Sequence, residues 1–114
     1  MIRVLSVTGF HKAGKTRIVV SIVRELTKRG YLVGTVKHIP EKDFTIDQPG
    51  KDTWAHAKAG AKLVVSMAPG EVAKVEKCSA KIEEVLQGLQ GLDFIIIEGF
   101  KAFSGPAKIV VAKP

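Results

Sequence analysis

Gly9-Phe10-His11-Lys12-Ala13-Gly14-Lys15-Thr16 sets two glycines, a lysine and a hydroxyl at the spacing G-x-x-x-x-G-K-[ST], the arrangement that wraps backbone around a phosphate. The glycines allow a tight turn that brings N–H groups to anionic oxygens at a helix start. Lys15 reaches toward the β and γ phosphates, and the Thr16 hydroxyl offers a hard oxygen to Mg²⁺. Gly9, His11, Lys12, Ala13, Gly14, Lys15, Thr16 and Arg17 are therefore the candidate nucleotide-binding residues. A second chemical group is Glu98, which closes the apolar run Phe94-Ile95-Ile96-Ile97 and precedes Gly99-Phe100-Lys101. A carboxylate emerging at the end of a buried strand can complete the coordination of a phosphate-bound Mg²⁺. The plainer alternative, less favoured beside a glycine loop of this pattern, is a surface acid at a strand-to-turn junction.

The flanking patterns supply the elements these residues need. Ile2 to Thr8 reads as a buried strand before the glycine loop, and Ile18, Ile22, Val23 and Leu26 repeat at helical spacing after it. Tyr31 to Val36 predicts a second strand, so the helix is a crossover between parallel strands, with Lys37 and His38 at the ligand end. Ile39 to Lys51 shows no period and carries two prolines; a loop this long inside a compact domain is usually functional or mobile. Thr53 to Ala59 predicts a short helix with Asp52 as N-cap. Ala61 to Met67 predicts a strand that turns at Pro69-Gly70 into an antiparallel return over Glu71 to Lys77. Ser79 to Leu89 predicts a third helix. Leu92 to Glu98 is apolar enough for a strand covered on both faces, and Ala107 to Ala112 predicts a last strand. The expected fold is α/β: a P-loop NTPase with a mainly parallel β-sheet flanked by α-helices in three layers, forming one domain over residues 1–114.

Composition narrows the function classes. The chain is 46% hydrophobic, and no apolar run is long enough for a membrane span or a signal-peptide core, so a cytoplasmic protein is expected. Its 18 Lys+Arg against 11 Asp+Glu are scattered without aromatic interleaving, which favours anionic small molecules or an acidic partner over nucleic acid. The single cysteine, Cys78, forms no internal disulfide and has no metal-site spacing to other ligands.

Beyond the glycine loop, four blocks stand out: Thr35-Val36-Lys37-His38; Phe44 through Thr53 with the pattern D-x-P-G-K-D-T; His56 with Ala59-Gly60-Ala61; and Ile97-Glu98-Gly99-Phe100-Lys101 before Pro106-Ala107-Lys108-Ile109. With the loop, they resemble the molybdopterin-guanine dinucleotide biosynthesis adaptor family, protein B (MobB), over nearly the whole chain. The resemblance implies a GTP-binding, Mg²⁺-dependent homodimer with weak GTPase activity. It also implies a partner, the molybdenum cofactor guanylyltransferase, and contact with molybdopterin. Family members generally continue past the strand ending near Ala112. The pattern places phosphate binding on Gly14, Lys15 and Thr16, and metal-linked roles on Asp47 and Glu98. Lys37, His38, Lys51, Asp52 and Lys101 become candidate phosphate or pterin contacts.

Each of these has a plainer reading. Asp47 suits a turn before Gln48-Pro49-Gly50, Lys51 and Asp52 suit a helix start, and Lys37 and His38 suit a solvated strand end. Trp54 reads as a packing anchor before a base-stacking residue. No N-K-x-D or T-K-x-D motif is present to read guanine, so GTP over ATP is implied by the resemblance alone. Two rival functions stay open: a small-molecule P-loop kinase, weakened because no arginine follows Arg29, and a nucleotide switch without significant hydrolysis.

Overall fold

The computed structural model describes residues 1–10 and 12–112. They divide into two compact units, Met1–Pro40 with Ile82–Pro114, and Glu41–Lys81. The first unit is built on four parallel strands in the order β2-β5-β1-β6, namely β1 (Arg3–Gly9), β2 (Val33–Lys37), β5 (Phe94–Glu98) and β6 (Ala107–Val111). Helices α1 (Lys15–Lys28) and α3 (Ile82–Gln87) belong to it. The second unit contains α2 (Asp52–Lys58), β3 (Leu63–Ala68) and β4 (Glu71–Glu76).

Alternation along the central strands explains the three layers. On one face Leu5, Val7 and Ile96 pack with Ile18, Val19, Ile22, Val23 and Leu26 of α1. On the other, Val4, Ile95 and Ile97 pack with Ile82 and Leu86 of α3 and with Leu89 and Leu92 beyond it. Ile95, Ile96 and Ile97 are 1%, 0% and 0% exposed, because β5 has a strand on each side and a helix on each face. The predicted parallel sheet with flanking helices is what forms. β1 and β2 are parallel, but β5 lies between them.

Three expectations are corrected. The third helix is shorter than Ser79 to Leu89: it starts where Ile82 becomes buried on the sheet and ends where Gly88 and Leu89 donate to the carbonyls of Val85 and Leu86, three residues back. Such bonds tighten a helix into its last turn. Asp52 is not the N-cap of α2. Lys51 holds that position in an extended conformation, and Asp52 falls in the first turn, where its charge still suits the positive helix end. The third predicted strand starts at Leu63 rather than Ala61, and it pairs with β4 in a separate antiparallel ribbon joined through Pro69-Gly70.

Candidate nucleotide-binding site

The glycine loop runs from the end of β1 into α1. Ala13 N–H donates to the Phe10 carbonyl at 3.0 Å, closing a turn. Gly14 then caps the helix in the left-handed region, φ 97° and ψ 19°, a conformation that costs a glycine little and an L side chain considerably more. The first N–H groups of a helix have no acceptor within it. No acidic residue occupies the first turn of α1, so its partial positive charge is left for an external anion. Lys15 and Thr16 are the first two residues of that helix. His11 lies outside the described residues.

Across the loop stands Glu98, whose side chain is only 11% exposed. The Thr16 hydroxyl donates to its Oε2 at 2.9 Å, and Lys37 Nζ approaches the same oxygen at 3.6 Å. The sheet register sets Glu98 beside Lys37 of β2 on one side and Val7 of β1 on the other. His38 N–H donates to the Glu98 carbonyl and Gly99 N–H to that of Val7, each at 2.9 Å, so the backbone around the carboxylate is pinned from both neighbours.

Immediately afterwards the chain turns sharply. Gly99 has φ 98°, and a Cβ there would sit 3.0 Å from His38 Cβ. Phe100 also has a positive φ, 59°, unusual for a bulky residue and a mark of a constrained site. Its ring stacks against His38 with centroids 4.3 Å apart and 26° between planes. Lys101 Nζ lies over the Phe10 ring at 4.2 Å, and the Lys101 carbonyl accepts from Lys108 Nζ at 2.9 Å. Thus the structure gathers Thr16, Glu98 and Lys37 at one point, and commits His38 and Lys101 to aromatic contacts. The role of Phe10 was missed. It stands at a variable position of the motif, and only its place inside the loop could have drawn notice.

A magnesium ion is implied by the glycine loop, and the donor set here fits one. Thr16 and Glu98 supply a hydroxyl and a carboxylate, hard oxygens of the kind Mg²⁺ takes. Mg²⁺ commonly uses one or two such groups, with phosphates and waters filling the rest. No cluster of three His, Cys, Asp or Glu that could hold a metal ion occurs among the described residues.

Asp47, Lys51 and Asp52 belong to the second unit. There Asp47 N–H donates to Thr45 Oγ1 at 3.3 Å and its Oδ1 accepts from Gln48 N–H at 2.9 Å. The Thr53 hydroxyl, the Gln48 N–H and the nearby Lys51 and Lys77 together hold the Asp47 carboxyl below the usual aspartate value. These are the contacts of a residue that organises its own loop. Because the folded pKa is depressed, the ionised form stabilises the loop above the unfolded pKa, and that contribution is lost as pH falls through the folded value. A carboxyl NMR titration is expected to place the Asp47 midpoint below that of an unstructured aspartate, and Thr53→Val to raise it. An unchanged midpoint in the Thr53 variant would refute this account of the loop.

The geometry of unit one, a parallel sheet with a glycine loop at a central strand end and an acid on the adjacent strand, defines the class as a P-loop NTPase-type α/β fold. Comparison narrows it. The model of the family described as molybdopterin guanine dinucleotide synthesis protein B matches residues 4–114, and the chain belongs to that family. The molybdopterin-guanine dinucleotide biosynthesis adapter protein of Escherichia coli is 32% identical over 107 residues, spanning 89% of this chain and 61% of its own length. A relative from Methanocaldococcus jannaschii is 34% identical over 101 residues, 87% of this chain and 41% of its own. The crystal structure of Bacillus subtilis MobB superposes with a TM-score of 0.80 at 25% identity, over 96% of this chain and 68% of that one. The chain therefore spans less than two thirds of the length of these two sequence relatives. No helix among the described residues is long and apolar enough to cross a membrane.

Proposed function

We propose that this chain is a GTP-binding adaptor in molybdopterin guanine dinucleotide biosynthesis, with Mg²⁺ as cofactor and weak GTPase activity. It works in the cytoplasm as a homodimer beside a molybdenum cofactor guanylyltransferase. The observation that carries the nucleotide reading is the 2.9 Å bond from Thr16 to Glu98 at the mouth of the glycine loop. Family membership supports the pathway, and the guanine preference follows from it.

In this reading the N–H groups opening α1 and the Lys15 ammonium receive the triphosphate. Mg²⁺, when bound, would neutralise charge on the β and γ phosphates. Thr16 and Glu98 would hold it, the hydroxyl turning a lone pair outward as its proton stays directed at the carboxylate. Lys37 stands ready to balance Glu98 in the absence of the metal. Slow hydrolysis is what a P-loop site shows when no arginine is delivered to the transition state.

The test is calorimetric titration with GTP, ATP and GDP, each with and without Mg²⁺, on the parent and on Glu98→Gln. GTP is expected to bind selectively. The variant keeps an acceptor for Thr16 but loses the charge, so the Mg²⁺-dependent part of GTP affinity falls on the order of tenfold or more while Mg²⁺-free binding is unchanged. Identical Mg²⁺ dependence in the two proteins would remove Glu98 from the metal site. A preference for ATP would defeat the GTP reading, and failure to associate with the guanylyltransferase would defeat the adaptor reading.

A further inference from the structure

Two groups converge on one oxygen of Glu98: the Thr16 hydroxyl donates to Oε2 at 2.9 Å, and Lys37 Nζ lies 3.6 Å from the same atom. The Glu98 side chain is 11% exposed, whereas that of Lys37 is 61% exposed. A carboxylate so far withdrawn from water needs a compensating charge close by. Among the described residues Lys37 supplies it.

Backbone and side chain of Lys37 are held differently. Lys37 and Glu98 are register partners on adjacent parallel strands, the His38 N–H donates to the Glu98 carbonyl at 2.9 Å, and the His38 ring stacks on Phe100 with centroids 4.3 Å apart. The backbone of Lys37 is thereby fixed beside the acid. Its ammonium is not, because it stands in solvent on a flexible stem. A divalent ion held by Thr16 and Glu98 would lie within a few ångströms of that ammonium, where like charges repel and solvent weakens the repulsion without cancelling it. Ammonium and ion draw on the same carboxylate, so one gains Glu98 as the other gives it up. A triphosphate alters the balance: its oxygens bring the ion further ligands and negative charge, and they give the displaced ammonium another anion.

We propose, resting on the reading of Glu98 as the metal carboxylate, that Lys37 is a resident counter-cation: it withholds Glu98 from a free divalent ion while the glycine loop is empty and releases it when a triphosphate enters. Metal binding is thereby made conditional on nucleotide. Lys37 is a positioning residue that acts on the ion through Glu98, and it weakens metal binding where a residue that builds a metal site strengthens it. That inverted sign is what the experiment reads.

Mn²⁺, which takes the same kinds of oxygen ligand as Mg²⁺, is titrated into the nucleotide-free protein, and the free ion is counted by electron paramagnetic resonance. Lys37→Met is expected to bind Mn²⁺ about tenfold tighter than the parent, and Lys37→Arg, which keeps the charge, to match the parent within about twofold. Adding Glu98→Gln to Lys37→Met is expected to abolish the gain. With a non-hydrolysable GTP analogue bound, the parent and Lys37→Met should differ by about twofold or less. Circular dichroism checks that each variant folds, and Lys37→Gln carries the test if Lys37→Met does not. An unchanged or weaker Mn²⁺ affinity in a folded, uncharged Lys37 variant overturns the proposal. So does a gain that survives Glu98→Gln, one that Lys37→Arg equals, or one that persists undiminished with the analogue bound. Failure of the GTP reading is distinguishable: the parent would bind no GTP analogue, and the comparison made with Mn²⁺ alone would still decide the competition for Glu98.

Discussion

Lys15→Ala is expected to lower GTP affinity on the order of a hundredfold while leaving the melting temperature where it was. A charge-assisted bond to a phosphate, lost without replacement, has a cost of that size. Lys15 is the first residue of α1 and only partly buried, so the core loses nothing when it is shortened, and such surface changes usually stay within about 0.5 kcal/mol. Titration calorimetry and thermal unfolding on the same preparation separate the two quantities. Retained affinity would show that the loop does not hold the triphosphate, and a large drop in melting temperature would show that the lysine belongs to the fold.

Ile96→Ala is expected to have the largest effect on stability. Ile96 is fully buried at the centre of β5 and packs against Val7 and Val19. Removing its three distal carbons between a helix and a sheet leaves a hollow that strand hydrogen bonds prevent from collapsing. The cost is about 4 kcal/mol, within the range for buried Ile→Ala changes, and a chain of this size should melt roughly 15–20 °C lower. Urea unfolding followed by circular dichroism measures it. A loss below about 1 kcal/mol would contradict the placement of this side chain between α1 and the sheet.

The glycine loop and the uniformly apolar β5 were readable because each depends on local pattern: fixed spacing for one, and absence of polar residues over a strand's length for the other. The helical face of α1 was readable for the same reason, with Ile18, Ile22, Val23 and Leu26 all packed as their spacing requires. What local pattern does not contain is strand order. Nothing in Thr35-Val36-Lys37 announces that β5 rather than β1 is its neighbour, so the pairing of Lys37 with Glu98 emerged only from the sheet register. Helix limits failed for a related reason. Leu89 continues the apolar stripe of α3, yet it packs on the sheet from beyond the helix end, and periodicity cannot distinguish those two ways of burying one side chain. Asp47 illustrates the reverse case, in which the plainer turn-forming role suggested by its neighbours accounts for the contacts it makes.

The position of β5 between β1 and β2 also dictates the order in which this protein can come into being. A ribosome releases β1, α1 and β2 early, but those two strands share no hydrogen-bonded edge and must wait. The unit from Glu41 to Lys81 is continuous in sequence and emerges next, so it can close on itself while its predecessor is still an open pair of ribbons. Only when Phe94 to Glu98 clears the exit tunnel does the sheet acquire its middle strand, and with it the acid facing Thr16. Within this chain the glycine loop therefore leaves the ribosome well before the acid that faces it, and, on the function proposed above, capture of a magnesium-bound nucleotide by a nascent chain would mark the moment its central strand has arrived.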